Sequence, residues 1–313
     1  MGHSTSRHRS RLLLCLAIVY LIWGGSYIAT SIGVHALPPF AFGAVRFTLA
    51  GLLLFIFARL RAARTGATRA PITLADWQHA ALVAVGTVLL SNGCNVWGMQ
   101  SVASNQAALL NTTSAFWIPL LGMCGARRHA LQWRVGLGLL IGFAGTALII
   151  WPQRAADAAT LAMAGSLWPQ FVILIGCLGW AGGTIYMRNV QSRLDVLSFT
   201  GLQLFCGGLM LLGLALWRGD FAHWAWSWAG ASAMIYLLLL SSCVAYAAYA
   251  WLAQHATPAQ TGSYGLVNPA VAAALGWLVL GERLTQAQLI GMVIILAGVA
   301  LVNWPESRPV TQP

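Results

Sequence analysis

Residues 257–304 read TPAQTGSYGLVNPAVAAALGWLVLGERLTQAQLIGMVIILAGVALVNW. This stretch contains two apolar runs, separated by the short polar turn GERLT at residues 281–285. The first run carries Asn268-Pro269 at its centre, where the proline removes a backbone donor from the helix. Residues 100–152 contain the same features in the same order: an apolar run with a polar break, a short basic turn and a second apolar run.

The two stretches belong to an internal repeat with a nearly constant spacing. Gln100 lies 154 positions before Gln254, and Trp23 lies 157 positions before Trp180. A fixed period of this kind indicates that one structural unit occurs twice in the chain. Four further pairs of identical residues have spacings between 153 and 157: Phe42 with Phe199, Trp97 with Trp251, Gly138 with Gly291, and Gly145 with Gly298.

The composition indicates a membrane protein. Only 7% of the 313 residues are charged and 59% are hydrophobic, which leaves too little polar surface for a soluble chain of this length. The net charge of +11 comes from arginines in short gaps between apolar runs, so it does not form the basic domain of a nucleic-acid-binding protein. The six cysteines lie in apolar runs without paired spacing, which is typical of small buried side chains.

Ten apolar runs are long enough to cross roughly 30 Å of hydrocarbon as helices. They lie at about 12–33, 39–60, 77–99, 104–125, 133–151, 167–187, 196–217, 229–252, 257–280 and 286–304. The predicted fold is therefore an all-α membrane protein with ten transmembrane helices. The predicted division is a basic, mobile tail at 1–11, a five-helix repeat at 12–151, a linker at 152–166, a second five-helix repeat at 167–304 and a tail at 305–313. The first run lacks the small-residue cleavage site of a signal peptide.

The arginines predict the orientation of the chain. Of 17 basic residues, thirteen fall in segments on the same side as the N-terminus, three fall on the other side, and Arg46 lies within a run. Positive residues concentrate on the cytoplasmic side, so both termini are predicted to be cytoplasmic and the linker extracytoplasmic. Because five helices is an odd number, the second repeat must enter the membrane in the opposite orientation. Inverted repeats are typical of secondary transporters.

Several short motifs resemble those of one transporter family. They are Trp23-Gly24-Gly25-Ser26 in the first run, Arg46-Phe47 in the second, and Asn268-Pro269 followed by the 281–285 turn. Their order and spacing resemble the EamA-type branch of the drug/metabolite transporter superfamily over nearly the whole chain. That resemblance implies an inner-membrane exporter of amino acids or other small metabolites, with one group exporting aromatic amino acids. Two features depart from the pattern: the first-repeat turn has no acid corresponding to Glu282, and Pro119 lies one turn beyond the expected proline position, Ala115.

Polar and aromatic residues inside the runs are the candidate substrate-binding residues. Such residues are costly in lipid and tend to face the interior of a helix bundle. The resemblance implies that helices 1, 3, 4, 6, 8 and 9 surround the central cavity. The alternative is that the polar groups form interhelical hydrogen bonds and the aromatic rings only pack. The candidates are Trp23, Ser26, Tyr27, Asn92, Asn95, Asn111, Trp180, Thr184, Tyr246, Tyr249, Tyr264 and Asn268.

Arg46 is the charged residue that lies deepest within a predicted transmembrane helix, and its position leaves two roles open. It can have a structural role, either by extending to the membrane interface or by binding backbone carbonyls. Alternatively, its planar group of donors can hold a substrate carboxylate or phosphate. Its repeat counterpart, Gln203, is neutral, so the two halves do not form a symmetric anion site.

The remaining motifs limit the function. All six acidic residues lie in loops or at helix ends, so no buried carboxylate is available for exchanging protons against cationic drugs. No HExxH motif or P-loop is present, which argues against zinc proteolysis and ATP-driven pumping, and no cofactor or metal is expected. The favoured function is alternating-access transport of a small neutral or zwitterionic solute across the bilayer. An intramembrane enzyme that uses a lone His or Cys and a non-transporting scaffold remain alternatives, and the oligomeric state is left open.

Overall fold

The computed structural model describes residues 2–65, 70–122, 133–150, 167–190, 192–256 and 264–302. Within these residues, helices occupy ten successive positions, α1 to α10, and no β-strand occurs. The first five are α1 Gly2–Ala36, α2 Pro39–Arg64, α3 Leu74–Gly98, α4 in two pieces, Ser104–Thr112 and Ser114–Gly122, and α5 Trp133–Ile150. The last five are α6 Trp168–Asn189, α7 Val196–Arg218, α8 in three consecutive pieces, Trp228–Ile235, Tyr236–Ala245 and Tyr246–His255, α9 Tyr264–Leu280, and α10 Gln286–Val302.

Six of these helices are long and apolar enough to cross a membrane: α1, α2, α3, α6, α7 and α8. In α5, α9 and α10 the apolar helix is shorter, between 10 and 17 residues, within the part of the chain that the structure describes. The fourth predicted run differs further, because α4 is interrupted at Thr113. The described residues therefore form an all-helical structure with six helices able to cross a membrane, and ten complete transmembrane segments stay a prediction.

The first helix begins earlier than predicted. Residues 2–11, expected to form a mobile tail, are a continuous extension of α1. Extending an existing helix costs less free energy than nucleating a new one, and the apolar part of α1 provides the helix that is extended. Because no proline interrupts residues 2–11, the helix continues to Gly2.

Helices α3 and α8 share an irregularity that the sequence does not predict. Each contains a π-helical segment, Val85–Asn92 in α3 and Tyr236–Ala245 in α8. The wider π turn changes which carbonyl each amide contacts, and such segments are frequent at functional sites. The two segments occupy corresponding places in the two repeats, because Thr87 and Ser241 are separated by the repeat spacing of 154.

Helices α2 and α7 approach each other closely and run antiparallel. A Cβ atom at Gly51 would clash with the backbone of Phe205, and one at Gly208 would clash with the backbone of Thr48. Thr48 and Gly51 lie 157 positions before Phe205 and Gly208, so the two contacts are equivalent under the repeat relation. Small residues at such contacts let helix backbones approach each other in a membrane.

Helices α5 and α10 form a second reciprocal pair. A Cβ atom at Gly145 would lie 2.9 Å from the carbonyl oxygen of Gly291, and one at Gly298 would lie 2.7 Å from that of Gly138. These contacts are again related by the spacing of 153, and the glycines allow close packing of α5 on α10.

The two halves also contact each other through their first helices. Helix α1 packs against α8 and α9, and α6 packs against α3 and α4. The first helix of each half therefore packs against the third and fourth helices of the other half. The 281–285 turn adds a polar link: the carboxylate of Glu282 accepts hydrogen bonds from the backbone amides of Ser104 (2.8 Å) and Asn105 (3.1 Å) at the start of α4.

Candidate functional site

A cluster of aromatic side chains surrounds Trp23 in the interior of the bundle. Trp23 lies near the middle of α1 and is only 9% exposed. Its ring centroid lies 5.3 Å from that of Tyr246, 5.1 Å from Tyr249 and 5.2 Å from Tyr264, and the Tyr249 and Tyr264 rings are 5.8 Å apart. The ring pairs are edge-on or tilted, which are favourable arrangements for aromatic quadrupoles. Helices α1, α8 and α9 thus bring together four of the predicted residues.

The Trp23 ring is held in this position by a hydrogen bond to α8. Its indole N–H donates to the carbonyl oxygen of Ser241, at 3.2 Å, within the π-helical segment Tyr236–Ala245. Buried indole N–H groups need such an acceptor. One edge of the Trp23 ring is therefore bound to the protein.

Trp180 and Tyr27 reach the same cluster from α6 and α1. Trp180 and Tyr27 both lie close to the hydroxyl of Tyr264. Tyr264 therefore joins the equivalent tryptophans of the two repeats, Trp23 and Trp180. Thr184, one turn beyond Trp180 in α6, is half-buried, and no described contact connects it to the cluster.

The three predicted asparagines of α3 and α4 bond to the protein itself. The side-chain amides of Asn95 and Asn111 donate to each other's oxygen, at 3.1 and 2.6 Å, and each also donates to a carbonyl of its own helix. Asn92 donates to the carbonyl of Thr87 at 2.8 Å. These contacts favour the interhelical alternative for Asn95 and Asn111, which connect α3 to α4, whereas Asn92 bonds within α3.

The two remaining predicted residues have different environments. The hydroxyl of Ser26 donates to the carbonyl of Trp23 at 2.6 Å, so its proton is bound within α1. Asn268, next to Pro269 in α9, is 6% exposed, and its buried Oδ1 atom has no hydrogen-bond partner among the residues that the structure describes. A buried acceptor without a donor is costly, so Asn268 retains capacity to bind a donor. Its backbone carbonyl lies close to α1, because a Cβ atom at Gly24 would lie 3.4 Å from that oxygen.

Arg46 lies beside the aromatic cluster and is 5% exposed. Its Nε donates to the hydroxyl of Ser242 at 3.1 Å, and its Nη2 donates to the hydroxyl of Ser241 at 3.4 Å. The guanidinium carbon lies 4.4 Å from the centre of the Phe47 ring. The guanidinium also interacts electrostatically with the hydroxyl of Tyr246, a member of the cluster.

Sequence reasoning missed Ser241 and Ser242, which connect Arg46 and Trp23. The sequence contains a signal for this pair, because both residues are polar within the apolar run of α8. Ser241 also corresponds to Thr87 under the repeat spacing of 154. The resulting site has an aromatic wall, neutral polar groups and one cation. The acidic residues of the described chain lie at helix ends or in turns: Asp76, Asp195, Asp220 and Glu282. This arrangement suits binding of a small molecule.

Comparison with known proteins identifies a family whose model matches this chain. The model of the EamA-like transporter family matches this chain twice, over residues 10–151 and 167–304. The uncharacterized inner membrane transporter YedA of Escherichia coli (strain K12) is 30% identical over 308 residues, which cover 95% of this chain and 94% of YedA.

More distant relatives extend over most of the chain. The uncharacterized transporter YvbV of Bacillus subtilis (strain 168) is 25% identical over 304 residues, 94% of this chain and 92% of YvbV. A chloroplastic WAT1-related protein of Arabidopsis thaliana is 26% identical over 293 residues, 92% of this chain and 68% of that protein. One solved crystal structure has the same fold, with a TM-score of 0.61 at 17% identity, covering 93% of this chain and 96% of the solved chain.

Proposed function

This chain belongs to the EamA-like transporter family, and we propose that it moves a small neutral or zwitterionic metabolite across the inner membrane by alternating access. The proposed solute is an amino acid with an aromatic or hydrophobic side chain, and the proposed direction is export from the cytoplasm. Family membership implies a small-molecule substrate and a lipid bilayer. The class of solute, the direction of transport and the alternating-access mechanism are our proposals.

The aromatic cluster around Trp23 is the observation that supports the solute class. Trp23, Tyr246, Tyr249 and Tyr264 provide ring faces and edges in the interior of the bundle, and Trp180 lies close to Tyr264. Flat side chains gain both apolar burial and favourable ring contacts in such surroundings. A multiply charged phosphate would lose its hydration there without several cations in compensation, so the site suits a zwitterion better.

Reciprocal helix contacts support the alternating-access mechanism. In the pairs α2–α7 and α5–α10, corresponding helices of the two repeats run antiparallel and exchange equivalent contacts, as at Gly51 and Gly208. This is the relation expected when the second repeat is inverted in the membrane. Two inverted halves around one central site provide two equivalent gates, one on each side.

The orientation and the direction rest on separate observations. The arginine distribution supports cytoplasmic N- and C-termini. The proposed inner-membrane location agrees with the name of YedA, an inner membrane transporter. Export is supported by the resemblance of the sequence motifs to those of metabolite exporters.

Counterflow in proteoliposomes tests the proposal. The purified chain is reconstituted into vesicles loaded with unlabelled L-phenylalanine, and radiolabelled L-phenylalanine is added outside. We expect transient accumulation of label, absent from protein-free vesicles and from vesicles loaded with a sugar phosphate. Absence of accumulation for aromatic and hydrophobic amino acids alike would contradict the proposed solute class. Conversion of the labelled compound into a new product would instead favour an intramembrane enzyme.

A further inference from the structure

We propose that Arg46 binds the carboxylate of the transported solute, so that the site selects carboxylic acids with an apolar or aromatic side chain. The inference rests on the proposed function and specifies the chemistry of its site. Arg46 is 95% buried, since only 5% of its surface is exposed, and it lies within α2, a helix long and apolar enough to cross the membrane. Charged residues in such positions are rare and usually mark a substrate or ion pathway.

The partners of Arg46 do not neutralise its charge. The guanidinium contacts two hydroxyl groups, of Ser241 and Ser242, and the face of the Phe47 ring. None of these groups carries a negative charge, and no acidic side chain forms an ion pair with Arg46 among the described residues. A guanidinium has five N–H donors, of which the two serines use two. Donors and charge therefore remain available for an anion.

The second repeat contains a neutral counterpart of the same contact. Gln203, 157 positions after Arg46, is also buried, and its Nε2 donates to the hydroxyl of Thr87 at 2.8 Å. Thr87, in turn, lies 154 positions before Ser241, so both contacts join the second helix of one repeat to the π-helical segment of the other. A glutamine satisfies this structural link without a charge. The charge of Arg46 is therefore not needed for the link, and a charge-dependent ligand accounts for it.

Ser241 places the cation next to the aromatic wall. Its hydroxyl accepts a hydrogen bond from Arg46, and its carbonyl accepts one from the indole of Trp23. Tyr246 contacts the Trp23 ring and also interacts electrostatically with Arg46. A carboxylate bound at Arg46 would thus lie close to a ring packed in the cluster, as in an acid whose carboxyl group is a few bonds from an aromatic side chain.

Analogues of one solute test this inference on the unmodified protein. Counterflow of radiolabelled L-phenylalanine is measured while L-phenylalanine, L-phenylalaninamide or phenethylamine competes; the last two have the ring but no carboxylate. Because a charge-assisted hydrogen-bonded contact is lost, we expect both to compete about tenfold to a hundredfold less well than the acid. Equal competition by the acid and the amide would overturn this inference and leave the proposed function intact. Absence of any phenylalanine counterflow would overturn both.

Two variants of Arg46 then test whether this residue causes the preference for the acid over the amide. Arg46→Gln introduces the residue that the second repeat has at the equivalent position, so we expect a folded protein that has lost its preference for the acid over the amide. Arg46→Lys keeps the charge but loses the planar group of donors, and we expect a weaker preference than in the wild type. Retention of the full acid preference in Arg46→Gln would contradict the assignment to Arg46.

Arg59→Gln is the matched control. Arg59 lies in the same helix, and its Nη1 donates to the carbonyl of Ala70 at 2.9 Å, away from the aromatic cluster. We expect this variant to keep the wild-type ratio between acid and amide. Gel filtration in detergent, with one symmetric peak, identifies folded variants. If Arg46→Gln fails this criterion, Arg46→Lys decides the assignment, and an acid preference equal to that of the wild type in this variant would contradict it.

Discussion

At the scale of single residues, Trp23 and Trp180 occupy equivalent sequence positions but have different surroundings. The indole N–H of Trp23 is bound to the carbonyl of Ser241, so a change at Trp23 also affects the packing of α1 on α8. Trp180 is half-buried and contacts the cluster through the hydroxyl of Tyr264. Trp180 is therefore the better position for separating solute recognition from stability.

We expect Trp180→Ala to weaken competition by L-tryptophan in the counterflow assay by about two- to tenfold, because one ring contact is lost. Trp180→Phe keeps a ring and should retain most of the affinity. Trp217→Ala serves as the control, since Trp217 at the end of α7 is 81% exposed. Membrane levels equal to those of the wild type are required for the comparison. A uniform loss for aliphatic and aromatic solutes in Trp180→Ala would contradict a specific aromatic contact.

At the scale of helices, the turn between α9 and α10 supports α4. The first amides of a helix have no partner within it, and Glu282 satisfies those of Ser104 and Asn105 while also accepting from the Ser104 hydroxyl at 2.9 Å. A carboxylate at this end of a helix is also favoured by the helix dipole. The turn begins at Gly281, whose φ of 67° lies in the left-handed region that favours glycine.

Glu282→Ala should lower the free energy of unfolding by about 0.5–2 kcal/mol, the usual cost of losing a helix cap. Glu282→Gln keeps an oxygen acceptor but loses the charge, so its effect should be smaller. The measurement is the unfolding midpoint of the detergent-solubilised protein in a denaturant that preserves micelles. Arg283→Ala, a change of the exposed neighbouring residue, is the control and should leave the midpoint unchanged. Equal midpoints for wild type and Glu282→Ala would show that the cap contributes nothing.

At the scale of the whole molecule, the arginine bias makes the orientation testable. In a background without the six native cysteines, Gly66→Cys should be protected from an impermeant thiol reagent in intact cells, and Trp226→Cys should react. Trp226 follows α7 and is 73% exposed, which makes it more suitable than Asp220, whose carboxylate binds the amide of Phe40 at 3.1 Å. Permeabilised cells, in which both positions should react, are the control. Labelling of Gly66→Cys in intact cells would reverse the orientation.

Energy coupling is also a property of the whole molecule. The described acids lie at helix ends or in turns, and His35 and His255 each bond to a carbonyl of their own helix, at 2.7 and 2.9 Å. We therefore expect a facilitator, whose phenylalanine exchange is unchanged by an imposed pH gradient and by an ionophore that collapses it. Uphill uptake driven by the gradient, and abolished in His255→Ala, would contradict this expectation.

The sequence alone determined the membrane class, the repeat spacing and the family resemblance. Hydropathy is a sum over neighbouring residues, and spacings and motifs are read along the chain, so these properties need no knowledge of distant contacts. The repeated glycines of α5 and α10 are visible in the sequence in the same way, and small residues at a helical period allow close approach whatever the partner. The aromatic composition of the site was likewise visible in the positions of Trp23 and Tyr246.

Only the tertiary structure decided which polar groups are already satisfied. Asn95 and Asn111 resemble substrate-binding residues in the sequence, but they bond to each other across α3 and α4. Arg46 meets Ser242 across 196 positions of the chain, in a π-helical segment that the local sequence does not indicate. A hydrogen bond depends on distance and angle between two groups, and the folding of the whole chain sets both for residues so far apart.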